Sequence, residues 1–199
     1  MKKIIVMLLM LISISGFSQS KNEMLAELNG QYHVDESGNI TILRVVDSIN
    51  LNKDEIYNRV LNYFTYNYGS GKSVIQTQDK EHGLIVAKGL YESVHIGVSL
   101  ITTKISTWHI IRVDIKEHKI RIVVTLTEYD KVISGGNTPD VYRTTKVSSE
   151  FPVNSDGSSE TVMTKAFYKS YKKATESLNV IEKAVKEGNT SKSIENNNW

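Results

Sequence analysis

The segment of residues 119–129 constrains the fold of this chain more than any other. Apolar and polar side chains alternate there with a period of two, and residues 108–116 follow the same pattern. That period is typical of a β-strand with one face packed on a core and the other face in water. We predict further strands, joined by short links that favour antiparallel pairing, at residues 40–46, 74–78, 84–91, 94–100 and, on an edge, 141–147.

Two other segments have the spacing of amphipathic helices. Asn52 is followed three residues later by Glu55, which predicts an N-cap and a helix that ends near residues 68–71. From about residue 161 to 186, apolar residues recur every three or four positions and lysines lie mostly off that stripe. We interpret the second segment as a helix packed on the sheet, with a solvated lysine face; the alternative is a helix that pairs with its copy in a homodimer.

These patterns predict one α+β domain over residues 40–187. It is a curved antiparallel sheet with two helices packed on one face, in the order strand, helix, strands, helix. Polar residues dominate 19–39, which we expect to form a loosely ordered N-terminal arm, and 188–199, a polar tail. Clusters of turn residues predict loops at 133–140 and 151–159.

The first 18 residues have the organisation of a cleavable signal peptide. Lys2 and Lys3 precede a run of nine aliphatic residues and Met at 4–12, and small residues follow. A membrane-spanning helix needs roughly 20 apolar residues, so we expect no integral membrane segment after cleavage. Cleavage after Ser18 would deliver the chain to the periplasm or the medium.

Composition excludes several classes of protein. The 199 residues include no Cys, so the protein is not a lipoprotein with an acylated cysteine and has no disulfide. Removal of Lys2 and Lys3 with the signal lowers the 24 Lys and Arg residues to 22, which equals the 22 Asp and Glu residues. A neutral mature chain has no electrostatic footprint for nucleic acid, and we expect no nucleic-acid partner.

The sequence contains no recognisable reactive constellation. Residues 69–73 end like a phosphate-binding loop, but they close a helix where that motif opens one. The five His residues lack the spacing of metal ligands, and no serine stands in a nucleophile elbow. We therefore predict no catalytic, cofactor-binding or metal-ligating residues and no cofactor. The alternative is a hydrolase whose site is assembled from residues distant in sequence.

A sheet face that the helices leave uncovered is the predicted place for a partner. Outward residues on the predicted strands are basic or polar, and tyrosines crowd the first helix, a residue type that is enriched at interfaces. Ordinary solvated strand residues are the simpler alternative. The candidate partner-facing residues are Lys88, Arg112, Arg121, Thr125, Tyr63 and Tyr66.

Residues 53–89 carry a more specific pattern. A helix that opens with acidic residues and Tyr57 precedes a strand, then the turn Asp79-Lys80-Glu81-His82-Gly83, then a strand that ends in Lys88-Gly89. This order resembles a bacterial exported family called domain of unknown function 4468, and a weaker resemblance extends over residues 40–130. The resemblance implies export and a TBP-like fold with no assigned activity, so it supplies no catalytic residues. A TBP-like shape does not by itself imply DNA binding.

Together these observations favour a non-catalytic periplasmic or secreted binding or assembly module. Its partner would be a protein, a peptide or a glycan of the cell envelope.

Overall fold

The computed structural model describes residues 19–67, 74–135 and 138–188. The predicted signal peptide, the loop at 69–73 and residues 189–199 of the predicted tail lie outside these ranges. The described elements are helix α1 (Lys21–Leu28), strands β1 (His33–Val34) and β2 (Ile40–Val46), helix α2 (Lys53–Asn67), strands β3 (Val74–Asp79), β4 (Leu84–Val98), β5 (Thr102–Lys116), β6 (Lys119–Gly135) and β7 (Thr138–Lys146), a 3-10 turn (Val147–Ser149) and helix α3 (Glu160–Glu187).

The strands form one curved antiparallel sheet, as predicted, in the order β1-β2-β6-β5-β4-β3. Strand β6 is the longest, and β5 pairs along almost all of one of its edges. On the other edge β2 pairs with the first half of β6 and β7 with the second half. The sheet therefore has two ends, one flanked by β2 and β3 and a distal one flanked by β7.

Several strand boundaries differ from those predicted. The two strands predicted at 84–91 and 94–100 are a single strand, β4, whose pairing with β5 shifts register between Tyr91 and His95. Ser93 has a φ of 50° within that shift, which is the bulge that separated the two patterns in the sequence. The predicted loop at 133–140 is wrong over residues 133–135 and 138–140, because β6 continues to Gly135 and pairs there with Thr138 of β7; residues 136 and 137 lie outside the described residues.

Helices α2 and α3 pack on one face of this sheet, as predicted, and a third helix, α1, packs against α3. The alternating residues of β5 and β6 that face the helices are fully buried, among them Ile111, Val113, Ile122 and Val124. Helix α2 begins as predicted, since the Asn52 side-chain oxygen accepts the Glu55 backbone N–H at 2.8 Å. The buried stripe of α3 completes one core with α2 and the sheet.

The third helix, α1, lies in the segment that we expected to be loosely ordered. Ser20 and Glu23 form a capping box, in which the Ser20 hydroxyl accepts the Glu23 N–H at 3.3 Å and the Glu23 carboxylate accepts the Ser20 N–H at 2.7 Å. Met24 and Leu28 are buried. Glu27 ties α1 to α3 by accepting the Tyr168 hydroxyl at 2.6 Å and the Lys172 ammonium. The capping box at its start and the contacts of Glu27 with α3 near its end stabilise this short helix despite its mostly polar composition.

Candidate binding face

The face of the sheet opposite the helices is covered by no helix among the described residues. We call it the open face. Its central part consists of three rows that run across β2, β6, β5 and β4, as the strand register places them. The rows are Thr41, Thr125, Ile110 and Lys88; Leu43, Val123, Arg112 and Val86; and Val45, Arg121, Asp114 and Leu84.

The structure brings four of the predicted residues together on this face. Lys88 and Thr125 both lie in the first row, separated by Ile110, while Arg112 and Arg121 lie in the next two rows. Residues far apart in sequence thus become neighbours, because three consecutive antiparallel strands place them in register. Whether these residues contact a partner stays a prediction.

The two predicted tyrosines lie elsewhere. Tyr63 is only 4% exposed and packs edge-on against Phe64, with ring centroids 5.2 Å apart, so its assignment to a partner surface is wrong. Its position on α2 coincides with the helix face that contacts the sheet, which the apolar spacing of Ile56, Val60 and Phe64 already marked. Tyr66 is 47% exposed, but α2 carries it on the other side of the sheet from the open face.

An ionic cluster occupies the middle of the open face. The Arg112 guanidinium donates to one Asp114 oxygen at 2.7 and 2.9 Å, and Arg121 donates to the other at 3.0 Å. Burial of the Asp114 carboxyl opposes its ionisation, but the hydrogen bonds and charges of the two arginines outweigh burial, so its pKa lies below the ordinary value. The hydrogen bond to Asp114 in turn raises the pKa of Arg112. One carboxylate therefore orients two guanidinium groups that stay charged and half-exposed.

A second set of polar contacts lies on the same face, between the ionic cluster and the distal end of the sheet. The Lys88 ammonium lies 4.8 Å from the centroid of the Trp108 ring, a cation–π contact. The Trp108 indole N–H donates to Asp130 at 2.6 Å, and the Thr144 hydroxyl donates to the same carboxylate at 2.7 Å. Sequence reasoning missed Trp108, although its alternation with Ile110 and Arg112 places it on the outward face. These contacts hold the Lys88 side chain across the sheet surface.

Apolar side chains fill the space around these charges. Leu43 and Val45 on β2 are each 52% exposed, and Val86, Ile110 and Val123 are half-buried. Within the three rows, three cations face a single carboxylate. The open face is therefore apolar and locally cationic, although the chain without its predicted signal peptide is neutral. Exposed apolar area combined with oriented charge occurs at interaction surfaces.

A cavity of about 310 Å³ lies where this face meets the β3–β4 and β5–β6 turns, lined in part by Val45, His82 and Arg121. The His82 ring nitrogen Nδ1 lies 2.8 Å from the Asp79 carboxylate. This is the pairing that a hydrolase would need, but the imidazole is 77% exposed and the lining includes no hydroxyl or thiol nucleophile. In residues 19–67, 74–135 and 138–188, no three His, Asp or Glu side chains are close enough to hold a metal ion.

Comparison with solved structures defines the class of protein to which this fold corresponds. The chain is similar to the crystal structure of a TBP-like protein from Parabacteroides distasonis, with a TM-score of 0.55, 18% identity, and coverage of 78% of this chain and 97% of that one. It is also similar to the crystal structure of a DUF4468 family protein from Bacteroides ovatus, with a TM-score of 0.54, 10% identity, and coverage of 82% and 95%. The domain is therefore an α+β domain with a TBP-like fold.

A sequence comparison gives a match to a family model over part of the chain. Residues 43–130 match the model of the family described as domain of unknown function (DUF4468) with TBP-like fold, and the predicted resemblance is confirmed over this segment. The match covers β2 through the first part of β6, which includes nearly all of the open face. No curated protein matches the chain. Among the described helices, none has the length and apolar character needed to cross a membrane.

Proposed function

We propose that the protein is an exported, non-catalytic binding module whose open face holds a protein or peptide partner of the cell envelope. The single observation that carries the proposal is the mixture of exposed apolar side chains and oriented cations in the three rows of the open face. Leu43 and Val45 supply apolar area, and Arg112 and Arg121 supply charge. A partner segment with apolar and acidic side chains complements both features.

Preorganisation favours binding over a merely solvated surface. The arginines are held by Asp114, and Lys88 is held by Trp108, so these long side chains lose little additional freedom when a partner arrives. Arginine and tryptophan are also the residue types that carry much of the binding energy in protein interfaces. A glycan would stack on Trp108, but the exposed aliphatic residues of β2 offer it no complementary polar groups.

The proposal includes export. Cleavage after Ser18 would leave Gln19 as the first residue of the mature chain, with the capping Ser20 next to it. Mass spectrometry of the protein recovered from the periplasm and the medium tests this directly. A mature N-terminus at Gln19 supports the assignment, and recovery of the uncleaved chain in the cytoplasm contradicts it.

Affinity capture across a salt series tests the binding role. The bait is the tagged protein, incubated with envelope extract from its own organism. The open-face variant combines Arg112→Glu and Arg121→Glu, and the matched control combines Lys183→Glu and Lys186→Glu on the exposed side of α3. We expect a partner that the wild type and the control retain, that the open-face variant loses, and that elutes as salt rises.

Equal retention by both charge-reversal variants would contradict the role of the open face. A broad hydrolase screen decides the alternative. Turnover that His82→Ala abolishes would replace the binding proposal with a hydrolytic one centred on the cavity beside Asp79.

A further inference from the structure

A second concave site lies at the distal end of the sheet, on the side of the helices. It is a groove of about 500 Å³ between β4, β5, β6 and β7 and the first turn of α3. Its lining combines apolar side chains, among them Ile105 and Ile133 from the sheet and Val162 and Met163 from α3, with hydroxyl side chains such as that of Thr103. The volume lies within the range of small-molecule binding sites in proteins.

Two cations line this groove, and only one of them is paired with a carboxylate of the described residues. The Lys131 side chain is nine-tenths buried, and its ammonium lies 2.5 Å from a Glu150 oxygen and 3.3 Å from the Ser158 hydroxyl. The second Glu150 oxygen accepts the Ser158 backbone N–H at 3.0 Å, so the charge of Lys131 is matched inside the protein. Arg143 is exposed and forms no ion pair with any carboxylate of the described residues. The groove therefore presents one uncompensated positive charge.

Exposed apolar side chains lie near the mouth of the groove. Of the eleven exposed large apolar side chains in the described residues, six lie at this end of the sheet, although Ile96 and Tyr142 face the opposite side, in one row with Lys104 and Val132. Val98 and Ile101 line the groove itself. Leu100, at the tip of the β4–β5 hairpin, is 99% exposed, and Val98 is 76% exposed. Exposed apolar area concentrated beside a cavity marks a place where an apolar ligand arrives.

Close packing holds the two hairpin ends together at this mouth. A Cβ added to Gly135 would lie 2.7 Å from the Ile101 side chain, so only glycine allows β6 to approach the β4–β5 turn this closely. Val98 and Ile101 thereby join the groove lining. Apolar side chains consequently line the groove at both ends, with Val98 and Ile101 near the hairpin tip and Met163 on α3.

We propose that this groove binds a free single-chain amphiphile with a terminal carboxylate, that is, a fatty acid. The alkyl chain would lie along Ile105, Ile133 and Met163, and the carboxylate would pair with Arg143. Apolar walls alone would accept any hydrocarbon, whereas the single uncompensated guanidinium selects an anionic end group. This site is separate from the open face and does not depend on the binding role proposed for that face.

Calorimetric titration of the purified chain with laurate, kept below its micelle concentration, tests the proposal. We expect saturable binding to one site, about tenfold weaker in Arg143→Gln, because the variant loses a charge-assisted hydrogen bond. Val162→Trp fills the groove and should abolish binding. Ser159→Trp, at the exposed rim, serves as a second filling variant if Val162→Trp fails to fold.

Two controls separate the groove from other surfaces. Lys183→Gln on the exposed side of α3 should bind laurate as tightly as the wild type, and dodecyltrimethylammonium, which has the same chain length and the opposite charge, should bind more weakly than laurate. The absence of laurate binding, or equal affinity in Arg143→Gln, would overturn the proposal. Sedimentation with phosphatidylglycerol vesicles and no binding of laurate would also overturn it, because the apolar tip would then be a membrane-attachment surface.

Discussion

Two adjacent aliphatic side chains of strand β6 lie in opposite environments. Ile122 faces the helices and is fully buried, whereas its neighbour Val123 faces outward and is half-buried in the open face. The helix-covered face gains stability from burial, and that accounts for its apolar residues. The apolar residues of the open face have no such explanation within the described residues, and the binding role that we propose would account for them.

Charged groups differ between the two sides in the same way. Lys131 and Glu150 form a buried pair that the Ser158 backbone completes. Arg112, Asp114 and Arg121 form a cluster that stays half-exposed. Burial makes the first pair costly to break, while solvent screens the second and leaves it available for recognition.

The largest expected effect comes from breaking the buried pair. Lys131→Met leaves the Glu150 carboxylate buried without its cation and should lower the free energy of unfolding by about 3–5 kcal/mol. Urea denaturation measures this change. The control is Lys104→Met on an exposed position of β5. A loss of less than about 1 kcal/mol in Lys131→Met would show that the pair is not structurally important.

A pair of adjacent truncations compares the faces directly. Ile122→Ala opens a cavity under the helices and should destabilise the protein by about 2–5 kcal/mol. Val123→Ala, one residue away on the open face, should cost less than about 1 kcal/mol. Urea denaturation of both variants checks the difference. Equal losses would mean that the open face is packed against something in the folded protein.

Acid should destabilise the helix-covered face through His109, whose ring stacks on Tyr91 at 3.7 Å. Burial lowers the pKa of His109 from 6.5 to about 4. Between these two pH values the imidazole is therefore mostly protonated in the unfolded chain and mostly neutral in the folded chain. Stability is complete above about pH 6.5 and falls by up to about 3 kcal/mol as the pH decreases to about 4.

Unfolding free energies measured across this pH range test the assignment. Burial also lowers the pKa of His95, which adds to the trend in the same direction, so the difference between the wild type and His109→Phe isolates His109. A pH profile of His109→Phe identical to that of the wild type would exclude this role.

The smallest expected effect is on the open face. Arg112→Gln removes one of two cations on Asp114 and should change the free energy of unfolding by less than about 1 kcal/mol, because solvent screens the pair and Arg121 remains. Denaturation at low and high salt checks this. A loss above about 2 kcal/mol would give the cluster a structural role and weaken the binding proposal.

Sequence patterns predicted the faces of the sheet well because a period of two fixes which side chains point together. Alternation around Ile111 and Ile122 identified the buried rows, and it also placed Lys88, Arg112 and Arg121 outward. The predictions failed where a β-bulge or a helix cap alters the local structure. The bulge at Ser93 split β4 into two apparent strands, and the capping box at Ser20 stabilised a short helix of mostly polar composition.

The distal groove could not have been predicted. Arg143 lies in a segment with a weak strand pattern, and its place beside Met163 depends on how α3 crosses the end of the sheet. The tyrosines show the opposite error: composition pointed to an interface, but the helical phase of Tyr63 placed it in the core.

Site-specific photo-crosslinking in the native envelope tests most directly whether the open face is the binding surface. A benzophenone side chain is introduced at Val123 on the open face and, separately, at the exposed Val180 of α3. We predict a discrete adduct with a partner from position 123 and none from position 180. An adduct from position 180 without one from position 123 would contradict the account and move the binding surface to the helices.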